Sequence, residues 1–251
     1  MGREYVIAGN WKMFKTAAES REFIQALAGE FPDAPGLTVV VFPPFTSLEA
    51  VRGLAARVHI GAQNLFHEEK GAFTGEVSPL MLHGLAEYVL VGHSERRELF
   101  HENDEDVNKK LLTALKFGLL PVLCVGETLP EREGGRTLDK IRNQLEKALA
   151  GVDGGEADKI TVAYEPIWAI GTGRNATPGQ AQEVHRFIRL QLQEKFPGNR
   201  IKILYGGSVK PENSLELLSQ DDISGVLVGG ASLKVDQFSA IIHSGLKLLG
   251  A

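Results

Sequence analysis

Eight short runs rich in aliphatic and β-branched residues recur along this 251-residue chain, each followed by a stretch of helical periodicity or a loop. The runs are 5–9 (YVIAG), 37–42 (LTVVVF), 58–62 (VHIGA), 88–91 (YVLV), 119–125 (LLPVLCV), 160–164 (ITVAY), 201–205 (IKILY) and 225–228 (GVLV). Several are apolar almost throughout instead of alternating, which is how strands covered on both faces read. Amphipathic stretches follow at 16–30, 47–56, 104–117, 138–150, 178–196, 213–219 and 235–249. Thr177-Pro178 marks one helix start, with an N-cap hydroxyl and proline in the first turn. The third interval differs: 64–78 is a long Gly-containing loop ahead of a short helix at 79–85.

Eight strand–helix units without an interrupting linker predict an α/β chain folded as one (β/α)8 barrel domain over 1–251. A doubly wound open sheet would usually need fewer strands and a Gly-rich fingerprint after the first, and "AGNWKMFK" lacks G-x-G-x-x-G. The formal net charge of −5 is a poor basis for nucleic-acid binding, although a local field can still attract a small anion. Cys124 is the one cysteine, so no intrachain disulfide forms, which suggests a reducing compartment. The N-terminal apolar run is too short for a signal core or a membrane span, and Val6 breaks the myristoylation pattern. These readings predict a cytoplasmic protein without nucleic-acid or membrane partners.

In such a barrel, chemistry gathers at the carboxyl ends of the strands. Those exits carry Asn10-Trp11-Lys12, Gly92-His93-Ser94-Glu95-Arg96, Glu165, Gly206-Gly207-Ser208 and Gly229-Gly230-Ala231-Ser232. A random glutamate is usually a surface ion pair, but Glu165 ends a buried strand between Tyr164 and Pro166-Ile167. Partial desolvation there should raise its basicity. Lys12 and Asn10 would place positive charge and a donor at the mouth; a lysine just past a strand is otherwise a solvated group. Glu95 either orients Lys12 or pairs with Arg96 or Arg97. Two glycine pairs at consecutive exits, one followed by Ser208, suit a phosphate that needs close backbone approach. His59, His83 and His243 read as satisfied core histidines, and Cys124 as packing. The seven histidines show no metal-ligand spacing, no G-x-S-x-G or P-loop string occurs, and no cofactor is expected.

The segments GNWKM, VGHSERR, AYEPIWAIGTG, YGGSV and LVGGASL, in this order and spacing, resemble the signatures of the triosephosphate isomerase family. GAFTGEVSP and CVGETLPERE resemble it too, so the likeness spans essentially the whole chain. The resemblance implies a barrel enzyme interconverting two triose phosphates through an enediolate. Glu165 would be the general base and His93 a neutral electrophile, with Lys12, Asn10 and Glu95 supporting them. Gly171, Ser208, Gly229 and Gly230 would bind phosphate. It also implies a homodimer in which the 64–78 loop, with Thr74 and Glu76, enters a pocket of the partner. Residues 166–173 then read as a lid, with Pro166 a stiff hinge, 167–170 the cover and Gly171-Thr172-Gly173 a flexible exit. Two alternatives stay open on the residues alone: another phosphate-binding barrel enzyme, or a noncatalytic barrel.

Overall fold

In a computed structural model of the chain, residues 2–54, 56–170 and 176–251 are described. The strands are β1 (Tyr5–Asn10), β2 (Leu37–Phe42), β3 (Val58–Ala62), β4 (Tyr88–Val91), β5 (Leu120–Val125), β6 (Thr161–Tyr164), β7 (Lys202–Tyr205) and β8 (Gly225–Val228). All pair in parallel, each with its neighbour in sequence, and β8 closes on β1 with Val6 opposite Gly225. The result is a closed (β/α)8 barrel, as the alternation of runs and amphipathic stretches predicts.

Closure explains the near-continuous apolar runs, because both faces of every strand are covered. Val6, Ala8, Val40, Phe42, Leu90, Val122, Cys124, Ala163, Leu204 and Leu227 form one buried cluster inside the barrel. Their neighbours Ile7, Val39, Val41, Val89, Leu123, Val162, Ile203 and Val226 belong to the larger cluster between sheet and helices. The period of two along each strand thus divides one sequence between two cores.

The helices begin where side chains satisfy their first N–H groups. Thr16, Asn103 and Thr177 cap Ala17–Ala28, Asp104–Lys116 and Pro178–Lys195, each through a capping box. The helix expected over 47–56 is shorter: a 3-10 turn at Phe45–Ser47 runs into Leu48–Val51. Gly53, with φ of 67°, turns the chain out of the helix immediately afterwards. A short helix at Leu129–Glu133 is added to the predicted stretches. At the carboxyl end of the barrel, fully buried Trp11 donates its indole N–H to the Ser232 carbonyl at 3.1 Å, tying the exit of β1 to that of β8.

Candidate active site

The interior register, carried one step past the strands, reaches the barrel mouth. Ala8 is followed on that face by Asn10, Cys124 by Gly126, Ala163 by Glu165, Leu204 by Gly206 and Leu227 by Gly229. A cleft of about 700 Å³ opens there, and Asn10, Lys12, His93, Glu165, Ser208, Gly229 and Gly230 all line it. Glu95 stands behind Lys12, outside the lining. Gly171 lies outside the described residues, as do Thr172 and Gly173 of the expected lid exit.

Lys12 follows β1 in a left-handed backbone conformation, φ 53°, which a side-chain-bearing residue adopts only under constraint. Three contacts supply the constraint. Its N–H donates to Asn10 Oδ1 at 3.0 Å, its carbonyl accepts from Gln63 Nε2 at 2.8 Å, and its ammonium meets Glu95 Oε1 at 2.6 Å. Arg96 and Arg97 pair instead with Glu102 and Asp104, so of the two readings of Glu95 the geometry matches the partner of Lys12.

His93 is the N-cap of the helix Ser94–Leu99, and its Nδ1 accepts the Glu95 N–H at 3.3 Å. An amide N–H facing Nδ1 leaves the neutral ring's proton on Nε2. Nε2 lies 3.0 Å from Glu165 Oε1, while Glu165 Oε2 accepts the Ser94 N–H at 2.9 Å. Both side chains are almost wholly buried, His93 at 6% and Glu165 at 2% exposure.

Burial by itself would push Glu165 up and His93 down. Their mutual attraction and hydrogen bond, with the Ser94 N–H added for Glu165, reverse both shifts. Glu165 is held below the ordinary carboxyl range and His93 above the ordinary imidazole value. The expectation that an apolar setting raises the basicity of Glu165 is therefore corrected for this arrangement. The carboxylate is stabilised by its partners more than desolvation destabilises it.

The other wall of the cleft is backbone. Ser208 and Val209 follow β7, and Gly229 opens the 3-10 turn Gly230–Leu233 after β8. Lys12 reaches across toward this wall, since a Cβ on Gly229 would stand 3.7 Å from Lys12 Cε. The glycines let a group bound between them approach the backbone closely, beside the Lys12 side chain.

Two supporting residues went unassigned in the sequence. Gly126, at the exit of β5, lies so close to the next strand that a Cβ would stand 1.9 Å from the Glu165 carbonyl oxygen. Any larger residue would displace Glu165. Glu127, fully buried, accepts the Tyr164 hydroxyl at 3.0 Å and the Trp168 indole N–H at 2.8 Å. Burial raises its carboxyl, and these donors together with Arg132 work against that. It pins the first turn of the expected lid, Ile167–Ala169, to the exit of β5. The signal was an acid inside CVGETLPERE at a strand exit.

The histidine reading needs correction. His59 is part-exposed and pairs with Glu87 at 2.8 Å, while His83 and His243 are exposed. The core histidine is His185, fully buried on Pro178–Lys195, its Nδ1 bonded to the Ala181 carbonyl at 2.7 Å. Cys124 is buried as expected, and burial raises its thiol well above the usual value. Among the described residues no cluster of His, Cys, Asp or Glu forms a metal site.

The family model described as triosephosphate isomerase matches residues 5–245. Similar proteins include the triosephosphate isomerase of Carboxydothermus hydrogenoformans, 50% identical over 252 residues, covering 97% of this chain and 100% of that protein. That of Moorella thermoacetica is 51% identical over 246 residues, covering 96% and 98%. That of Geobacter metallireducens is 49% identical over 247 residues, again covering 96% and 98%. With the site at the carboxyl end of a closed barrel and this likeness running nearly end to end, the chain belongs to the triosephosphate isomerase family.

Proposed function

We propose that Glu165 and His93 perform, on the floor of this cleft, the reaction for which the family is named. The chain is an isomerase that interconverts D-glyceraldehyde 3-phosphate and dihydroxyacetone phosphate through an enediolate, a step of glycolysis. Glu165 takes the proton from the carbon beside the carbonyl, and the electron pair moves onto the carbonyl oxygen. The Nε2 proton of His93 polarises that oxygen and passes between the two substrate oxygens. Glu165 returns its proton to the neighbouring carbon, so atoms and charge balance without a cofactor. Lys12 and Asn10 stabilise the developing negative charge, with Glu95 orienting the lysine. Ser208, Gly229 and Gly230 hold the phosphate, and Gly171 belongs to the same expected set.

The observation that carries this assignment is the buried contact between Glu165 and His93 at 3.0 Å, in a cleft that Lys12 and the glycine-rich wall also line. A coupled assay of triose phosphate isomerisation tests it. Glu165→Gln should lose at least about a hundredfold in turnover while inorganic phosphate still inhibits or binds competitively. Turnover near the level of the unaltered protein would remove Glu165 from the role of base.

We also propose that the whole chain, 1–251, acts as one barrel domain in a homodimer, in the cytoplasm. Thr74 and Glu76 lie on an exposed loop whose ends are pinned by the Phe66 N–H to the Val77 carbonyl at 2.8 Å. Exposed Met13, Phe14, Phe73 and Met81 supply the apolar surface an association of this kind would cover. No helix among the described residues is long and apolar enough to cross a membrane.

A further inference from the structure

The backbone wall of the cleft is gripped from outside by one side chain. After β7, residues 206–210 lead directly into the helix Pro211–Leu218. On the barrel side the segment cannot give way, since a Cβ on Gly207 would stand 2.3 Å from the Tyr205 hydroxyl oxygen. On the helix side Asn213 holds it twice. Its Nδ2 donates to the Ser208 carbonyl at 3.1 Å, and its Oδ1 accepts the Lys210 N–H at 2.8 Å. The grip is anchored. Ser214, fully buried, donates to the Pro211 carbonyl at 3.0 Å and meets Ser244 Oγ at 2.8 Å on Val235–Leu249.

Helix capping accounts for half of this arrangement. Asn213 occupies the third helical position, where a side-chain oxygen on the cap residue's N–H is a common device. Capping gives no reason for the second bond, from Nδ2 to the Ser208 carbonyl. That bond fixes a peptide unit in the cleft wall. In a trans peptide the C=O and N–H point in opposite directions, and the described residues contain no cis bond. Holding the Ser208 carbonyl toward Asn213 therefore turns the Val209 N–H to the far side of the segment. Val209 lines the cleft, so a unit turned over by loss of the grip would exchange donor for carbonyl in the wall, which disfavours an anion.

We propose that Asn213 is a positioning residue for the phosphate site, acting through Ser208 and Val209 without touching substrate. This rests on the phosphate reading given above and deepens it. The test compares KM, kcat and competitive inhibition by inorganic phosphate in the unaltered enzyme, Asn213→Ala and Asn213→Asp. In Asn213→Ala, the inhibition constant for phosphate and KM should rise together by about five- to tenfold, the scale of one lost hydrogen bond, with kcat nearly unchanged. Asn213→Asp keeps an acceptor for the cap and suits the helix N-terminus, so its thermal midpoint should match or exceed that of the unaltered enzyme. Its phosphate inhibition should still weaken, relative to the unaltered enzyme, in about 0.5 M salt where the added charge is screened.

A phosphate inhibition constant unchanged in Asn213→Ala would overturn the positioning role and leave the phosphate site standing. Recovery of Asn213→Asp to the unaltered value in high salt would overturn it too, because capping plus charge would then suffice. Absence of competitive inhibition by phosphate in the unaltered enzyme would overturn the phosphate reading and this proposal together.

Discussion

Glu165 and His93 each set the other's protonation, so a change at one is measurable at the other. His93 is held above its ordinary value chiefly because the Glu165 carboxylate outweighs burial. Replacing Glu165 by Gln removes the carboxylate and leaves burial, the largest influence, with the Lys12 charge and the Glu95 N–H on Nδ1 favouring the neutral ring against the smaller pull of the Glu95 carboxylate. The imidazole should then titrate at clearly lower pH, which nitrogen NMR of labelled histidine reads directly. An unmoved titration would mean that the pair is not coupled as its 3.0 Å separation requires.

A second residue-scale effect concerns stability. His185 is buried between Tyr164 and Tyr205, ring centroids 5.6 and 6.1 Å away, and burial lowers its pKa to about 4. The unfolded chain binds that proton near pH 6.5, so between these values unfolding takes up a proton. Stability should accordingly fall as pH drops from about 6.5 toward 4, by up to about 3 kcal/mol from this group. His185→Gln cannot titrate. Its stability deficit against the unaltered protein, from urea unfolding, should shrink between pH 7 and pH 4.5. A deficit constant with pH would sink this account.

Among the elements, the 3-10 turn Ile167–Ala169 of the expected lid depends on a residue from another unit of the barrel. Glu127 gives one carboxylate oxygen to both the Tyr164 hydroxyl and the Trp168 indole, and Arg132 lies 5.5 Å from the Trp168 ring centroid. Glu127→Leu strips an acceptor from two donors, at about 1 kcal/mol each. It should lower kcat/KM on the order of tenfold and lower the thermal midpoint, while Glu127→Gln, which keeps an acceptor, recovers most of both. Full activity in Glu127→Leu would show that the lid needs no such pin.

The elements also differ in how plainly the sequence announces them. Strands β2, β3, β4 and β8 have the bounds their apolar runs suggest, because both faces are buried and periodicity has little competition. Leu129–Glu133 was legible in Thr128-Leu129-Pro130-Glu131, which carries a cap, a first-turn proline and the third-position acid. Its brevity hid it. At the site, residue types at strand exits gave Lys12, His93 and Glu165. The left-handed backbone of Lys12, the direction of the Glu165 shift and the role of Glu127 arise only when β1, β4, β5 and β6 close side by side. No local pattern encodes those contacts.

For the molecule as a whole, one barrel presents more apolar surface beside Lys12 and on the 64–78 loop than water favours. Met13 is 95% exposed, Phe14 56% and Phe73 43%, and the first two directly follow Lys12. Phe73 packs on Phe66 with ring centroids 4.6 Å apart, which stiffens the projecting loop. Burying these groups on a second copy would stabilise the pair by roughly 25 cal/mol per Å² of apolar area before the cost of association. The same contact would clamp the backbone of 12–15, where Lys12 and Lys15 both hold positive φ. Association and catalysis should therefore fail together. In the proposed homodimer, Phe73→Asp places a charge in the expected interface and should leave a one-chain species in sedimentation velocity. Turnover in the coupled assay should fall at the same time, while circular dichroism keeps the signature of the barrel. A monomer with full activity would break the link between interface and lysine, and an undisturbed dimer would place the interface away from the 64–78 loop.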